Sequence, residues 1–242
     1  MAMRRDISAV VEPWRMPPRP PRAALAGRHV RLEPLHPGHA AELHAACRGA
    51  DAMWDYLPYG PFADEGAHAA WIKQNAPGDD PLFFALRDLA RGRAAGVASF
   101  LRIQPQAGSI ELGHIALSPA LQQGRAATEA WFLMMGWAFA AGYRRFEWKC
   151  NAANLASRRA AERLGLSFEG IFRQAAVIKG RNRDTAWFAA IDAEWPALRG
   201  AFERWLDPRN FDASGRQRES LSALTRPILA AADPGLAAGA PD

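Results

Sequence analysis

Between residues 27 and 206 the apolar positions fall into two rhythms. Short stretches alternate every second residue, and longer ones repeat every three to four. Residues 29–35 read as a strand. Residues 37–50 read as a helix with a proline near its start and Ala40, Leu43, Ala46 and Cys47 on one face. A second helix is expected over 64–76, with Asp64 as its N-cap and Pro77-Gly78 as its stop. Three strands follow at 82–88, 94–103 and 109–117, separated by turn signals at Gly92 and Gly108. An apolar helix is predicted over 128–141, a strand over 145–150 and a helix over 154–164. Two strands, 168–179 and 183–193, flank the turn at Gly180, and a helix spans 195–206. A meander followed by a β-α-β unit gives an α/β (α+β) fold, a mixed sheet with helices on both faces.

The flanks look different. Residues 1–26 are rich in proline and arginine and read either as an arm packed through Trp14 or as a mobile tail. Residues 207–242 lose aromatic content after Phe211 and read as a loosely held tail. The domain expected between them covers 27–206.

Composition narrows the chemistry. Of 242 residues about half are apolar, enough for a sizeable core. The net charge is +5, carried mostly by arginine, since the lysines are only Lys73, Lys149 and Lys179. The charge is dispersed, so a phosphorylated small molecule suits it better than nucleic acid. Cys47 and Cys150 are the two cysteines, and no CxxC or CxxH spacing implies a metal. Two free thiols suit a reducing cytoplasm. Neither a signal sequence nor a membrane span is expected.

The stretch from 109 to 170 carries the chemistry. A strand leads into a loop of small residues, Gln122, Gln123, Gly124, Arg125, Ala126, Ala127 and Thr128, and then a helix. Such a loop offers unpaired N–H groups and a positive dipole end to a diphosphate. The next strand ends in Cys150 and Asn151, followed by Asn154, Ser157 and Arg159-Ala160-Ala161-Glu162-Arg163-Leu164-Gly165. This combination resembles the GNAT (GCN5-related N-acetyltransferase) superfamily, and within it the RimJ/RimL-like group, over residues 27–206. The resemblance implies a central sheet of about seven strands that splays in the middle, between 109–117 and 145–150. It implies acetyl-CoA as acyl donor and no metal. The pantetheine would pair with backbone at Ile115, Ala116 and Leu117, and the diphosphate would sit on residues 122–128. Asn154 matches the family asparagine that holds the cofactor near its thioester. Ser157 matches the position that protonates the leaving thiolate. Arg125 departs from the pattern, standing where glycine is usual. It could supply charge to a phosphate, or block the loop.

Transfer of an acetyl group to a primary amine needs a proton acceptor, and Glu111 and His114 are the candidates. Strand alternation puts them on opposite faces unless a bulge intervenes. Glu111 is preferred, directly or through water, and backbone N–H groups at 115–117 would polarise the carbonyl. Each residue has a plainer reading. Glu111 could be a solvated carboxylate, His114 a packed rim residue, Asn154 only an N-cap, Ser157 a backbone partner and Cys150 buried filler. The aromatic loop at 54–62 offers Trp54, Tyr56, Tyr59 and Phe62 either to the acceptor or to the core. Asp55, Asp64 and Glu65 could attract a cationic amine. The basic turn at 179–183 could reach a CoA phosphate or an anionic substrate, or lie in solvent. The acceptor would be a small-molecule amine or a peptide N-terminus, and a homodimer is compatible with the resemblance. A catalytically silent protein that binds CoA or a nucleotide is the alternative.

Overall fold

The computed structural model describes residues 10–237. Eight strands form one sheet: β1 Leu25–Ala26, β2 Val30–Pro34, β3 Leu82–Asp88, β4 Arg93–Gln104, β5 Ser109–Leu117, β6 Arg145–Asn151, β7 Ser167–Ile178 and β8 Arg181–Ile191. Their spatial order is β1-β2-β3-β4-β5-β6-β8-β7. Neighbours are antiparallel except β5 and β6, which run parallel because helix α3, Arg125–Ala140, carries the chain across between them.

Helices cover both faces. On one lie α1 Ala40–Cys47 and α2 Glu65–Asn75, whose Leu43 and Ile72 pack with Phe83, Ala85 and Val97. On the other, α3 and α5 Trp195–Leu206 pack Met134, Met135, Leu198 and Phe202 against Phe84, Leu86 and Phe100. This two-sided cover explains why residues 82–86 of β3 read as an unbroken apolar run rather than an alternating one. Asp64 caps α2 as expected, accepting the Ala67 N–H at 2.7 Å.

The sheet opens at its centre. β5 and β6 pair from Ser109↔Arg145 to Leu112↔Trp148 and no further. Beyond that point β5 stays with β4 as far as Leu117, while β6 stays with β8 as far as Asn151. The backbone edge of 113–117 that faces β6 therefore has no strand partner. A bulge sits at the opening, where Val97 pairs Ala116 but Ser99 pairs Gly113, and His114 takes φ 51°. Such an irregularity bends a strand and re-aims its side chains.

Three expectations change. The helix predicted from 128 starts three residues earlier, at Arg125, with Gly124 as its extended N-cap. β1 is an added strand. Its turn into β2 is tied to α3 by Glu129, whose buried carboxylate accepts N–H from Arg28, His29 and Val30 at 2.9, 2.6 and 3.0 Å. A side chain at Gly27 would collide with that carboxylate. The segment after Leu206, expected to be loosely held, folds back on the domain. It contributes α6 Leu221–Thr225, with Leu221 and Thr225 fully buried, and α7 Pro234–Ala237. Asp233, also buried, forms two parallel hydrogen bonds with Arg158, at 2.7 and 2.6 Å. These apolar and ionic anchors are too sparse to produce a periodic signal.

The described part of the N-terminal arm lies on the surface. The Tyr143 hydroxyl donates to the Pro18 carbonyl at 3.1 Å, and Arg22 donates to the Pro77 and Gly78 carbonyls. Trp14 is 40% exposed and approaches Gly108. The rest of the arm, residues 1–9, and residues 238–242 lie outside the described residues. No helix among the described residues is long and apolar enough to cross a membrane.

Candidate active site

Two cavities lie side by side where β5 and β6 diverge. The larger, about 700 Å³, lies at the N-terminus of α3. Gly124 caps that helix without a side-chain bond, and Thr128 is the first residue whose N–H reaches back to Gly124. The amides of Arg125, Ala126 and Ala127 are thus the donors a helix start leaves unsatisfied. Three guanidiniums line the same space: Arg125 on α3, and Arg159 and Arg163 one turn apart on α4, Leu155–Arg163. No carboxylate of the described residues pairs with any of them. Burial pushes the Arg163 pKa down, so that cation is held at a cost an anion would relieve. The folded-back C-terminal segment supplies the far wall with Phe211, Gly215 and Gln217.

Arg125 neither plugs this cavity nor points away from it. Its guanidinium lies 4.0 Å over the Phe211 ring, at the wall. Gln123, Gly124, Ala127, Thr128 and Leu117 line the cavity, and Gln122 and Ala126 do not. Gln122 turns back to donate to the Leu117 carbonyl at 3.0 Å, and Ala126 packs toward the core. The Thr128 hydroxyl is not a free donor, because it donates to the Gly124 carbonyl and accepts from Arg163, both at 3.2 Å.

The smaller cavity, about 240 Å³, sits in the opening itself. The bulge brings Glu111 and His114 to the same side, and both line it. Glu111 is 4% exposed, with Lys149 Nζ at 3.0 Å and Arg102 Nε at 2.9 Å. Burial drives its pKa up and the two cations oppose that shift only in part. Lys149, 5% exposed, is also 2.7 Å from Glu147 and lies 3.7 Å over the Trp187 ring. Burial, then the nearby Arg183 and Arg102, lower the His114 pKa to about 4, so its imidazole is neutral at neutral pH. That ring stacks on Tyr59 at 5.6 Å and meets Phe83 at 5.1 Å.

At the start of α4, Asn154 accepts the Ser157 N–H at 3.0 Å, so it does serve as N-cap while lining the cavity. The Ser157 hydroxyl accepts from Trp148 Nε1 at 3.0 Å, and its own proton lies in reach of the Cys150 sulfur. Ile115 lines the smaller cavity and Leu117 the larger, with Ala116 buried between them. Cys150 is buried beside Ser157, and burial raises its thiol pKa, which suits a packed thiol and not a nucleophile.

The aromatic loop divides. Tyr56 is 39% exposed, lines the smaller cavity and donates to the Ala153 carbonyl at 3.3 Å. Trp54, Tyr59 and Phe62 turn instead into a cluster with His68 and Trp71, as core staples. Burial raises the Tyr59 pKa, and its hydroxyl has no partner among the described residues. The tip of the basic turn, Gly180 to Asn182, is exposed, while its two ends turn inward, Arg183 to line the smaller cavity. Lys179 Nζ donates to the Trp54 and Gly60 carbonyls, at 2.9 and 2.6 Å, and clamps the loop.

Sequence reasoning passed over Lys149 and Arg102 around Glu111, where Arg183 was named only as part of the basic turn, and Arg159, Arg163 and Phe211 around the larger cavity. The signal for Lys149 was present. It shares strand parity with Glu147, which stands opposite Glu111 in the parallel register. Arg159 and Arg163 are four apart on a helix and so share a face. Phe211 had no signal, since it comes from the segment expected to be loose.

An open mixed sheet, parted between two parallel strands above an anion-ready helix start, defines an acyltransferase-type scaffold. Comparison with known proteins agrees. The acetyltransferase (GNAT) domain model matches residues 29–167. A GCN5-related N-acetyltransferase from Brucella melitensis shares 46% identity, over 89% of this chain and 100% of its own, with a TM-score of 0.87. A probable GNAT-family acetyltransferase from Chromobacterium violaceum shares 40% identity, over 81% of this chain and 100% of its own, with a TM-score of 0.75. The microcin C7 self-immunity acetyltransferase MccE, solved in complex with acetyl-CoA and AMP, shares the fold at 20% identity. It covers 68% of this chain and 93% of its own, with a TM-score of 0.61. A search of curated proteins returned no match. The chain belongs to the GNAT acetyltransferase family.

Proposed function

We propose that this protein transfers an acetyl group from acetyl-CoA to a primary amine by direct attack. The observation that carries the reading is that the two cavities lie side by side along β5 and α4. β5 contributes Leu117 to one and Ile115 to the other, and α4 contributes Ala156 and Ser157 likewise. A long donor with an anionic end and a neutral reactive end fits that shape. Three unpaired guanidiniums and a helix N-terminus suit its phosphates. Arg125 stacks on Phe211 at the cavity wall, where its charge is in reach of a phosphate. MccE was solved with acetyl-CoA, which supports the same donor here. The RimJ/RimL-like assignment rests on the motif from Asn154 to Gly165 alone.

When bound, acetyl-CoA supplies an activated thioester. The residues around it have distinct tasks. Backbone N–H groups in the unpaired stretch 115–117 stabilise negative charge on the carbonyl oxygen as the C–N bond forms. Glu111 takes the proton released from the attacking nitrogen, through one water. Its raised pKa makes it a better base than an exposed carboxylate. Ser157 gives its hydroxyl proton to the sulfur as the C–S bond breaks, and solvent restores it. His114, with a pKa near 4, is the poorer proton acceptor at neutral pH and shapes the cavity instead.

The test is thiol release from acetyl-CoA with a panel of amines. Amine-dependent release is expected, reduced at least tenfold in Ser157→Ala and Glu111→Gln. No release with any amine, from protein that binds CoA, would leave only the silent module.

A further inference from the structure

The smaller cavity carries more positive charge than acetyl transfer to a simple amine requires. Arg102, Lys149 and Arg183 line it, against one carboxylate, Glu111. Lys149 lies between Glu111 and Glu147, and Arg102 lies against Glu111, so those two cations have carboxylate partners. Glu147 is shared further with Arg145. Arg183 is different. Among the described residues its polar partner is a hydroxyl, Thr185 Oγ1, accepting from Nε at 3.2 Å. Its charge and that of Arg102 are felt at His114, whose protonation they disfavour.

Acidic residues that could draw in an ammonium lie elsewhere. Asp64 is occupied as the cap of α2, and neither it nor Asp55 nor Glu65 lines the cavity. A bare cationic amine would therefore meet an unneutralised guanidinium with nothing to offset it. An amine that brings its own negative charge would fill the site without that penalty.

We propose that the acceptor is an amine bearing a carboxylate or phosphate on the same small molecule, and that Arg183 receives that anion while Glu111 faces the nitrogen. The identity of the nitrogen as the reacting group rests on the acetyl-transfer reading. The anion site rests on the charge arrangement alone. Arg183 is then a specificity-determining residue, held in place by Thr185. A free amino acid or a phosphorylated amine fits, and the main chain of a peptide, whose carboxylate is far from its amino group, does not.

Titration calorimetry without acyl donor tests this directly. The probes are matched pairs: L-leucine with L-leucinamide, L-phenylalanine with L-phenylalaninamide, and phosphoethanolamine with ethanolamine. The anionic member is expected to bind at least tenfold more tightly in at least one pair. Which pair discriminates separates carboxylate from phosphate. Arg183→Gln should abolish the preference, Arg183→Lys should keep part of it, and the melting temperatures of both should match the parent. Equal affinities in every pair overturn the proposal, as does absence of binding by both members throughout or a preference that survives Arg183→Gln. Thiol release is then measured on the preferred probe. Silence there counts against acetyl transfer and leaves the anion result intact.

Discussion

Replacing Lys149 by methionine keeps the length of the side chain and removes only its charge. In the parent, the ammonium lies 3.0 Å from Glu111 and 2.7 Å from Glu147, with its side chain and that of Glu111 each 5% exposed. Removing one partner from a buried ion pair costs about 3–5 kcal/mol, because the remaining charge stays desolvated. Here Arg102 and Arg145 still face the two carboxylates, so the lower end, about 3 kcal/mol, is expected. For a chain of this size that is a melting-temperature drop of about 6–12 °C. The loss should depend on pH. Lys149 is the largest force holding the Glu111 pKa down against burial, so its removal raises that pKa further. A carboxyl whose folded pKa lies above its unfolded value costs stability once it ionises in the unfolded state. The variant's deficit should therefore be smallest in acid, where Glu111 is protonated in both states, and grow as pH rises through the carboxylate range. Adding Glu111→Gln to Lys149→Met should recover part of the stability, because the orphaned charge disappears. Calorimetric melting from pH 4 to pH 8 gives the answer. A deficit constant across that range, or a double variant less stable than the single, would refute the idea that Lys149 exists to hold Glu111 ionised.

Other expectations are simpler. Arg163→Ala should weaken CoA binding about tenfold, equivalent to about 1.4 kcal/mol, and pantetheine binding much less, as calorimetry would report. Glu129→Ala should lower stability by about 3 kcal/mol by orphaning three backbone N–H groups, with CoA affinity unchanged in the folded protein. Asp233→Ala strands the buried Arg158 guanidinium, and should cost about 3 kcal/mol and speed hydrogen exchange across the C-terminal segment.

Most of the architecture could be read from the chain because the strands and helices carry strong periodic patterns. Where both faces of the sheet are covered, as at 82–86, the pattern became a solid apolar run and was still legible. The phosphate loop was legible from its small residues, although Arg125 proved to be the first residue of the helix and not part of the loop. Parity alone could not place Glu111 and His114: the bulge that the reading allowed for is present, with His114 at φ 51°, and resets the alternation between them. The charge cluster around Glu111 was missed for a related reason. Arg102, Lys149 and Arg183 come from β4, β6 and β8, and only strand order and register bring them together. The C-terminal segment was misjudged because its hold depends on a few buried contacts, Leu221, Thr225 and the Asp233 ion pair, with no repeat to announce them.

The most direct measurement is calorimetric binding of CoA compared with pantetheine, at two salt concentrations. If the cavity beneath α3 receives the nucleotide phosphates, CoA should bind about 100-fold more tightly, a difference of about 2.8 kcal/mol, and higher salt should narrow the gap. Equal affinities, or a gap indifferent to salt, would mean that Arg125, Arg159, Arg163 and the helix start do not hold the donor.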